Sequence, residues 1–124
     1  MKKLILIVED EKTNLKLLKD LLQISGYSTL EARDGRQGIK LAHDKKPNLI
    51  LMDIQLPEID GVQAIRILKQ DDLTKDIPII AITAFAMEKD KEMALQAGCN
   101  GFLSKPIDIK EFLEKVETNL KNNE

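Results

Sequence analysis

Short runs of branched apolar residues, each followed by a longer amphipathic stretch, set the limits on how this chain can fold. Leu4–Val8, Leu49–Met52 and Ile77–Ile82 are rich in Leu, Ile and Val and show no polar alternation. Such runs suit strands covered on both faces, as in a parallel sheet. Pro78 is tolerable because it falls near the start of its run rather than in mid-strand. Ser28–Ala32 is more polar, which predicts an edge strand, and Gly101–Leu103 is a short fifth candidate.

The stretches between the runs read as helices. Asn14–Ile24 places Leu15, Leu18, Leu21 and Leu22 on one side and Lys16, Lys19 and Asp20 on the other. Ser25-Gly26 should end it, with Gly26 taking the left-handed position that follows many helices. Gly35–Lys45 is predicted to stop before Pro47, Val62–Gln70 is a third helix, and Met87–Ala97 a fourth, closed by Gly98. The last is the clearest: Ile109, Phe112, Leu113, Val116 and Leu120 recur at helical spacing, and Asp108 with Glu111 offers a start that resembles a capping box. The order is strand then helix, five times over. Short connections and right-handed crossovers turn that order into an α/β fold, a parallel sheet with helices on both faces.

The 124 residues fit one domain, with no linker, repeat or block of like charge, so residues 1–124 are read as a single domain with nothing appended. Hydrophobic residues make up 43%, enough for a core at this length. Nineteen basic residues stand against 21 acidic ones, a net charge of −2, which argues against a nucleic-acid partner. Met1-Lys2-Lys3 before an apolar run resembles the start of a signal peptide, but the run is short and ends in Glu9-Asp10-Glu11. No stretch approaches the roughly 20 apolar residues of a membrane span. With one cysteine, Cys99, no internal disulfide is possible. A cytoplasmic, reducing setting is the default expectation.

In an open α/β sheet, ligands bind at the carboxyl ends of the strands. Glu9, Asp10 and Glu11 follow the first run, Asp53 ends the third, Thr83-Ala84 follow the fourth, and Ser104-Lys105-Pro106 follow the fifth. If the first and third strands are neighbours, Glu9, Asp10 and Asp53 converge and repel one another unless a cation joins them. A set of oxygen ligands without histidine or cysteine favours Mg²⁺ over zinc, and Mg²⁺ commonly bridges carboxylates to a phosphate. Lys105 could neutralise one phosphoryl oxygen and Thr83 could donate a hydrogen bond to another, which is most of what phosphoryl transfer needs.

The set Glu9-Asp10, Asp53, Thr83-Ala84 and Lys105-Pro106 resembles the signature of the response-regulator receiver family, and the likeness runs from Leu4 to about Leu120. The resemblance implies a flavodoxin-like sheet of order 2-1-3-4-5. It implies that Asp53 accepts a phosphoryl group. Glu9, Asp10, Asp53 and the Gln55 backbone carbonyl would ligate Mg²⁺, and Ala84 would touch the phosphoryl group through its backbone. Thr83 and Phe102 would act as switch residues, Lys105 would sense the phosphate, and the Lys105-Pro106 bond would be cis. Leu56-Pro57 and Asp60-Gly61 resemble the loop after the acceptor. The partners implied are a sensor histidine kinase or histidine phosphotransfer protein and a downstream target protein, with a monomer expected. The strings Leu49–Glu58, Thr83–Met87 and Gly98-Cys99 further resemble a subgroup of single-domain receivers that act in cell-cycle regulation.

Three departures bear on that likeness. Glu9 stands where many members have Asp, Phe102 replaces a commoner tyrosine, and Phe85 stands where others carry smaller or polar groups. The bulk of Phe85 predicts slower loss of the phosphoryl group by limiting water beside Thr83. Taken singly, each site residue also has a bland reading. Glu9-Asp10-Glu11 could be a solvated loop with a helix cap, Asp53 a turn residue, Thr83 structural and Lys105 a surface lysine. Their shared edge favours the phosphoryl site. His43 and Cys99 are read as structural, as are the methionines. The alternatives are a binding module that works without phosphorylation and an aspartyl-phosphate hydrolase. The second would want an acid where Gln55 stands.

Overall fold

A computed structural model describes residues 2–56, 59–84 and 88–122. Five strands and five helices alternate along them: β1 Leu4–Val8, α1 Lys12–Ile24, β2 Ser28–Ala32, α2 Gly35–Lys45, β3 Leu49–Asp53, α3 Gly61–Gln70, β4 Ile79–Thr83, α4 Glu88–Ala97, β5 Gly101–Ser104 and α5 Ile109–Asn122. All neighbours in the sheet pair in parallel, in the order β2-β1-β3-β4-β5. The flavodoxin-like architecture expected from the sequence is therefore the one observed. The polar β2 lies at the edge, as its composition predicted.

Alternate residues of each central strand serve different cores. Ile5, Ile7, Leu49, Leu51, Ile80 and Ile82 face α1 and α5, against Leu15, Leu18, Leu22, Phe112, Val116 and Leu120. Leu6, Val8, Ile50, Met52, Ile79 and Ala81 face the opposite way, against Ala42 of α2, Val62, Ala64, Ile65 and Leu68 of α3, and Ala94 and Ala97 of α4. Both faces are dry, which is why the strands read as unbroken apolar runs.

Several boundaries differ from the sequence reading, each for a local reason. α1 begins at Lys12, two residues early, because the Glu11 carboxylate accepts from the Thr13 and Asn14 amides at 3.1 Å each and caps the helix. α3 begins at Gly61, with Asp60 as its cap. β4 begins at Ile79, not Ile77. Pro78 has no amide to give, and the Ile77 amide closes a turn onto the Thr74 carbonyl instead. Gly26 has φ +94, the left-handed position expected of it. Lys46 was not foreseen in that region. It sits at φ 47 as the C-cap of α2, its amide donating to the Ala42 carbonyl at 3.0 Å. The Asp108 side chain accepts from the Glu111 amide at 3.0 Å, so the predicted start of α5 is capped. Met87, read as the first residue of the fourth helix, lies outside the described residues.

Candidate functional site

Strand register assembles the site before any side chain is considered. Val8 pairs with Met52, so one step onward sets Glu9 beside Asp53 at the carboxyl end of the sheet. Glu9 continues the series Ile5, Ile7, and Asp53 continues Leu49, Leu51, so both carboxylates point to the face covered by α1 and α5. Asp53 pairs with Ile82, and Thr83 with Ser104, which carries the same rim across β4 to β5 and Lys105.

Lys105 joins the two acids. Its ammonium lies 2.8 Å from Glu9 Oε1 and 3.0 Å from Asp53 Oδ2. The other oxygen of Asp53, Oδ1, accepts from the Gln55 amide at 2.9 Å, so the acceptor carboxylate is held at both ends. Glu9 is 1% exposed and Asp53 3%, while Asp10 is more open. Glu9 Oε2 accepts from the Glu11 amide at 3.2 Å, whereas the Lys105 contact at Oε1 lacks hydrogen-bond geometry. Burial, then the neighbouring Asp53, pushes the Glu9 carboxyl up to about 7, against the opposing pull of Lys105. Burial alone would lower the Lys105 ammonium, but the adjoining Glu9 and Asp53 carboxylates outweigh it and raise the pKa above its usual value.

Glu9, Asp10 and Asp53 bring one carboxylate oxygen each within 4.8 Å of one another. The donors are all oxygen, and one of them, Glu9 Oε1, is buried without a hydrogen-bond donor. That is an arrangement a hard divalent cation relieves and a zinc ion does not favour, so the residues fit Mg²⁺. Gln55, the fourth expected ligand, follows directly in the loop after β3.

Thr83 is fully buried and lies on the opposite face of the sheet, in the series Ile79, Ala81 that packs toward α3 and α4. It lines a cleft of about 330 Å³ with Gln55, Asp60, Gln63, Arg66, Asp90 and Met93 among its walls. Phe102 pairs with Ala81 and packs on the same face, half-buried. Thr83 and Phe102 are thus both on the α4 side. The Lys105 amide donates to the Thr83 carbonyl at 2.8 Å, and the Lys105-Pro106 bond is cis. Ala84 follows Thr83 on the rim and is exposed. Pro57, Glu58 and Phe85 lie outside the described residues, and with them the sequence reading of Phe85.

Two neighbours of the site have contacts that the sequence reading did not foresee: Gly61, named there only as part of the loop after the acceptor, and Arg33, not named at all. Gly61 packs so closely under the acceptor that an added Cβ would stand 2.3 Å from the Ile54 Cα and 2.4 Å from the Asp53 carbonyl oxygen. Arg33, just past β2, donates from Nη2 to the Asp10 carbonyl at 3.2 Å. Nothing in helical or strand periodicity marks Arg33. Its neighbours Asp34 and Gln37 do carry the spacing of a helix cap.

Residues 5–117 match the response regulator receiver domain family. The chain is 47% identical over 120 residues to the polar-differentiation response regulator DivK of Brucella anthropi, covering 97% of this chain and 98% of that protein. DivK of Brucella ovis is 46% identical over the same coverage. Among solved structures, a CheY-like receiver domain protein from Methanospirillum hungatei superposes with a TM-score of 0.93 at 28% identity, over 99% of this chain and 97% of that one. The receiver domain of a Pseudomonas aeruginosa sensor histidine kinase, crystallised with a magnesium ion coordinated in its active-site cleft, gives a TM-score of 0.91 at 34% identity, over 98% and 99%. Among the described residues no helix is long and apolar enough to cross a membrane.

Proposed function

The chain belongs to the response regulator receiver domain family, as a receiver of DivK-like type, and from that premise we propose that Asp53 accepts a phosphoryl group from a phosphohistidine donor. One observation carries the reading. The buried Asp53 carboxylate is held by the Lys105 ammonium at 3.0 Å and the Gln55 amide at 2.9 Å, with Glu9 and Asp10 beside it.

Both oxygens of Asp53 are oriented before a donor arrives, so little ordering remains to be done at the moment of attack. A carboxylate oxygen forms the new P–O bond as the donor's P–N bond breaks, and the imidazole leaves with the electron pair. Glu9, Asp10, Asp53 and the Gln55 carbonyl would hold Mg²⁺, which would supply charge neutralisation at the phosphoryl oxygens. Lys105 is freed from Asp53 Oδ2 to pair with a phosphoryl oxygen, and Ala84 offers its amide to another. The Thr83 hydroxyl turns toward the new charge, and Phe102, on the same face, fills the space that this opens. The surface around α4, β5 and α5 is remodelled in consequence. The same residues, with water in place of the histidine, reverse the modification.

The donor is a sensor histidine kinase or a histidine phosphotransfer protein. The output is binding to a target protein, a reading that the near full-length match to a polar-differentiation response regulator supports. Incubation with Mg²⁺ and acetyl phosphate should add one phosphoryl group to the wild type, read by intact mass, and none to Asp53→Asn. A wild type that gains nothing, or an Asp53→Asn variant that gains as much, overturns the reading. Equal target affinity for wild type and Asp53→Ala would instead favour a binding module that ignores phosphorylation.

A further inference from the structure

We propose that Arg33 is a positioning residue for the acidic loop, holding Asp10 where its carboxylate can join a divalent cation. The proposal rests on the reading of Glu9, Asp10 and Asp53 as the ligands of Mg²⁺, but it concerns a residue outside that set.

The loop from Glu9 to Glu11 leaves β1 beside the end of β2, where the Glu9 amide donates to the Ala32 carbonyl at 3.0 Å. Arg33 is the next residue. Its backbone is fastened from the other side: the Arg33 amide donates to Gln37 Oε1 at 2.9 Å, and the Gln37 amide to Asp34 Oδ1 at 2.8 Å. That cap of α2 gives the side chain a fixed base from which to reach the Asp10 carbonyl at 3.2 Å. Its neighbours in the loop are held independently, Glu9 by Lys105 and the Glu11 amide, and Glu11 by the amides of α1 that it caps. Among the described residues, the bond from Arg33 is the one hydrogen bond that Asp10 makes. Asp10 is also the most open of the three acids, so it has the most freedom to lose when a cation is bound.

Charge and position predict opposite signs here. A guanidinium near a cation site repels the cation, so removing only its charge should tighten Mg²⁺ binding. Removing a positioning bond should weaken it. Partners that orient metal ligands are commonly worth about 10- to 100-fold in affinity, and a single bond to the ligand's backbone should sit below that range, at about three- to tenfold.

The experiment is a calorimetric Mg²⁺ titration of wild type, Arg33→Gln and Lys19→Gln. Lys19 lines the same cationic cleft as Arg33, so its replacement removes a like charge without the Asp10 bond. Arg33→Gln is expected to bind Mg²⁺ about three- to tenfold more weakly, with amide hydrogen exchange at Glu11 faster in the metal-free protein. Its phosphorylation rate at saturating Mg²⁺ should equal that of wild type. Lys19→Gln should bind Mg²⁺ as wild type does, or more tightly. Unchanged or tighter Mg²⁺ binding by Arg33→Gln overturns the proposal, as does unaltered exchange or equal weakening by Lys19→Gln. Failure of the wild type to take up a phosphoryl group would sink the proposed function instead. The metal titration would still decide the role of Arg33.

Discussion

At the residue scale, the site holds more negative charge than one lysine can balance. Glu9 answers by favouring its proton. Its folded pKa of about 7 lies above the ordinary 4.5, so between those values the metal-free native state binds more protons than the unfolded chain. The stability that this contributes is full below pH 4.5 and is lost as pH rises through about 7. Unfolding in urea with a chelator present should therefore show wild type losing stability from pH 5 to 7.5 relative to Glu9→Gln. A constant difference between the two proteins across that window would mean that Glu9 does not hold its proton through burial beside Asp53. The convergence of Glu9, Asp10, Asp53 and Lys105 was legible as chain order plus strand-end position. The bond from Arg33 to Asp10 was not, because a side chain bonded to a distant backbone carbonyl leaves no mark in composition or periodicity.

At the element scale, every helix and strand was anticipated from the sequence, and the shifted starts of α1, α3 and β4 trace to caps and to proline. Glu11 extends α1 by supplying a carboxylate to two free amides, and Pro78 delays β4 by withholding one. The connection from β3 to α3 matters most for function, since it carries Gln55 and ends at Gly61. Backbone crowds that glycine, and backbone cannot swing aside as a flexible side chain can. Gly61→Ala should cost about 1–3 kcal/mol in denaturant unfolding and slow phosphorylation by shifting the loop under Asp53. Gly101→Ala serves as the control. Its nearest contact would be an ordinary 3.5 Å to the Ile80 side chain, and it should be close to neutral. Similar losses at the two glycines would show that the close approach beneath Asp53 does not govern the cost.

At the scale of the whole molecule, one sheet is shared by two cores, and the acidic cluster is borne on its rim by β1 and β3, with Lys105 following β5. Binding there favours the folded state alone, because unfolding parts Asp53 from Glu9 and Asp10, which lie far from it in the chain. Mg²⁺ at 100 times its dissociation constant should add about 2.7 kcal/mol to the unfolding free energy. The gain should shrink in Asp53→Ala, and an equal gain there would place the stabilising ion elsewhere. The sequence alone determined the alternation of strands and helices, the edge position of β2 and the end of the sheet at which the chemistry collects. Each of these follows from hydrophobic period and chain order. Tertiary structure alone decided that Glu9 and Asp53 share a face while Thr83 and Phe102 share the other, that Lys105 spans both acids, and that Arg33 reaches Asp10. These depend on strand register and on contacts between residues far apart in the chain, which local patterns do not encode.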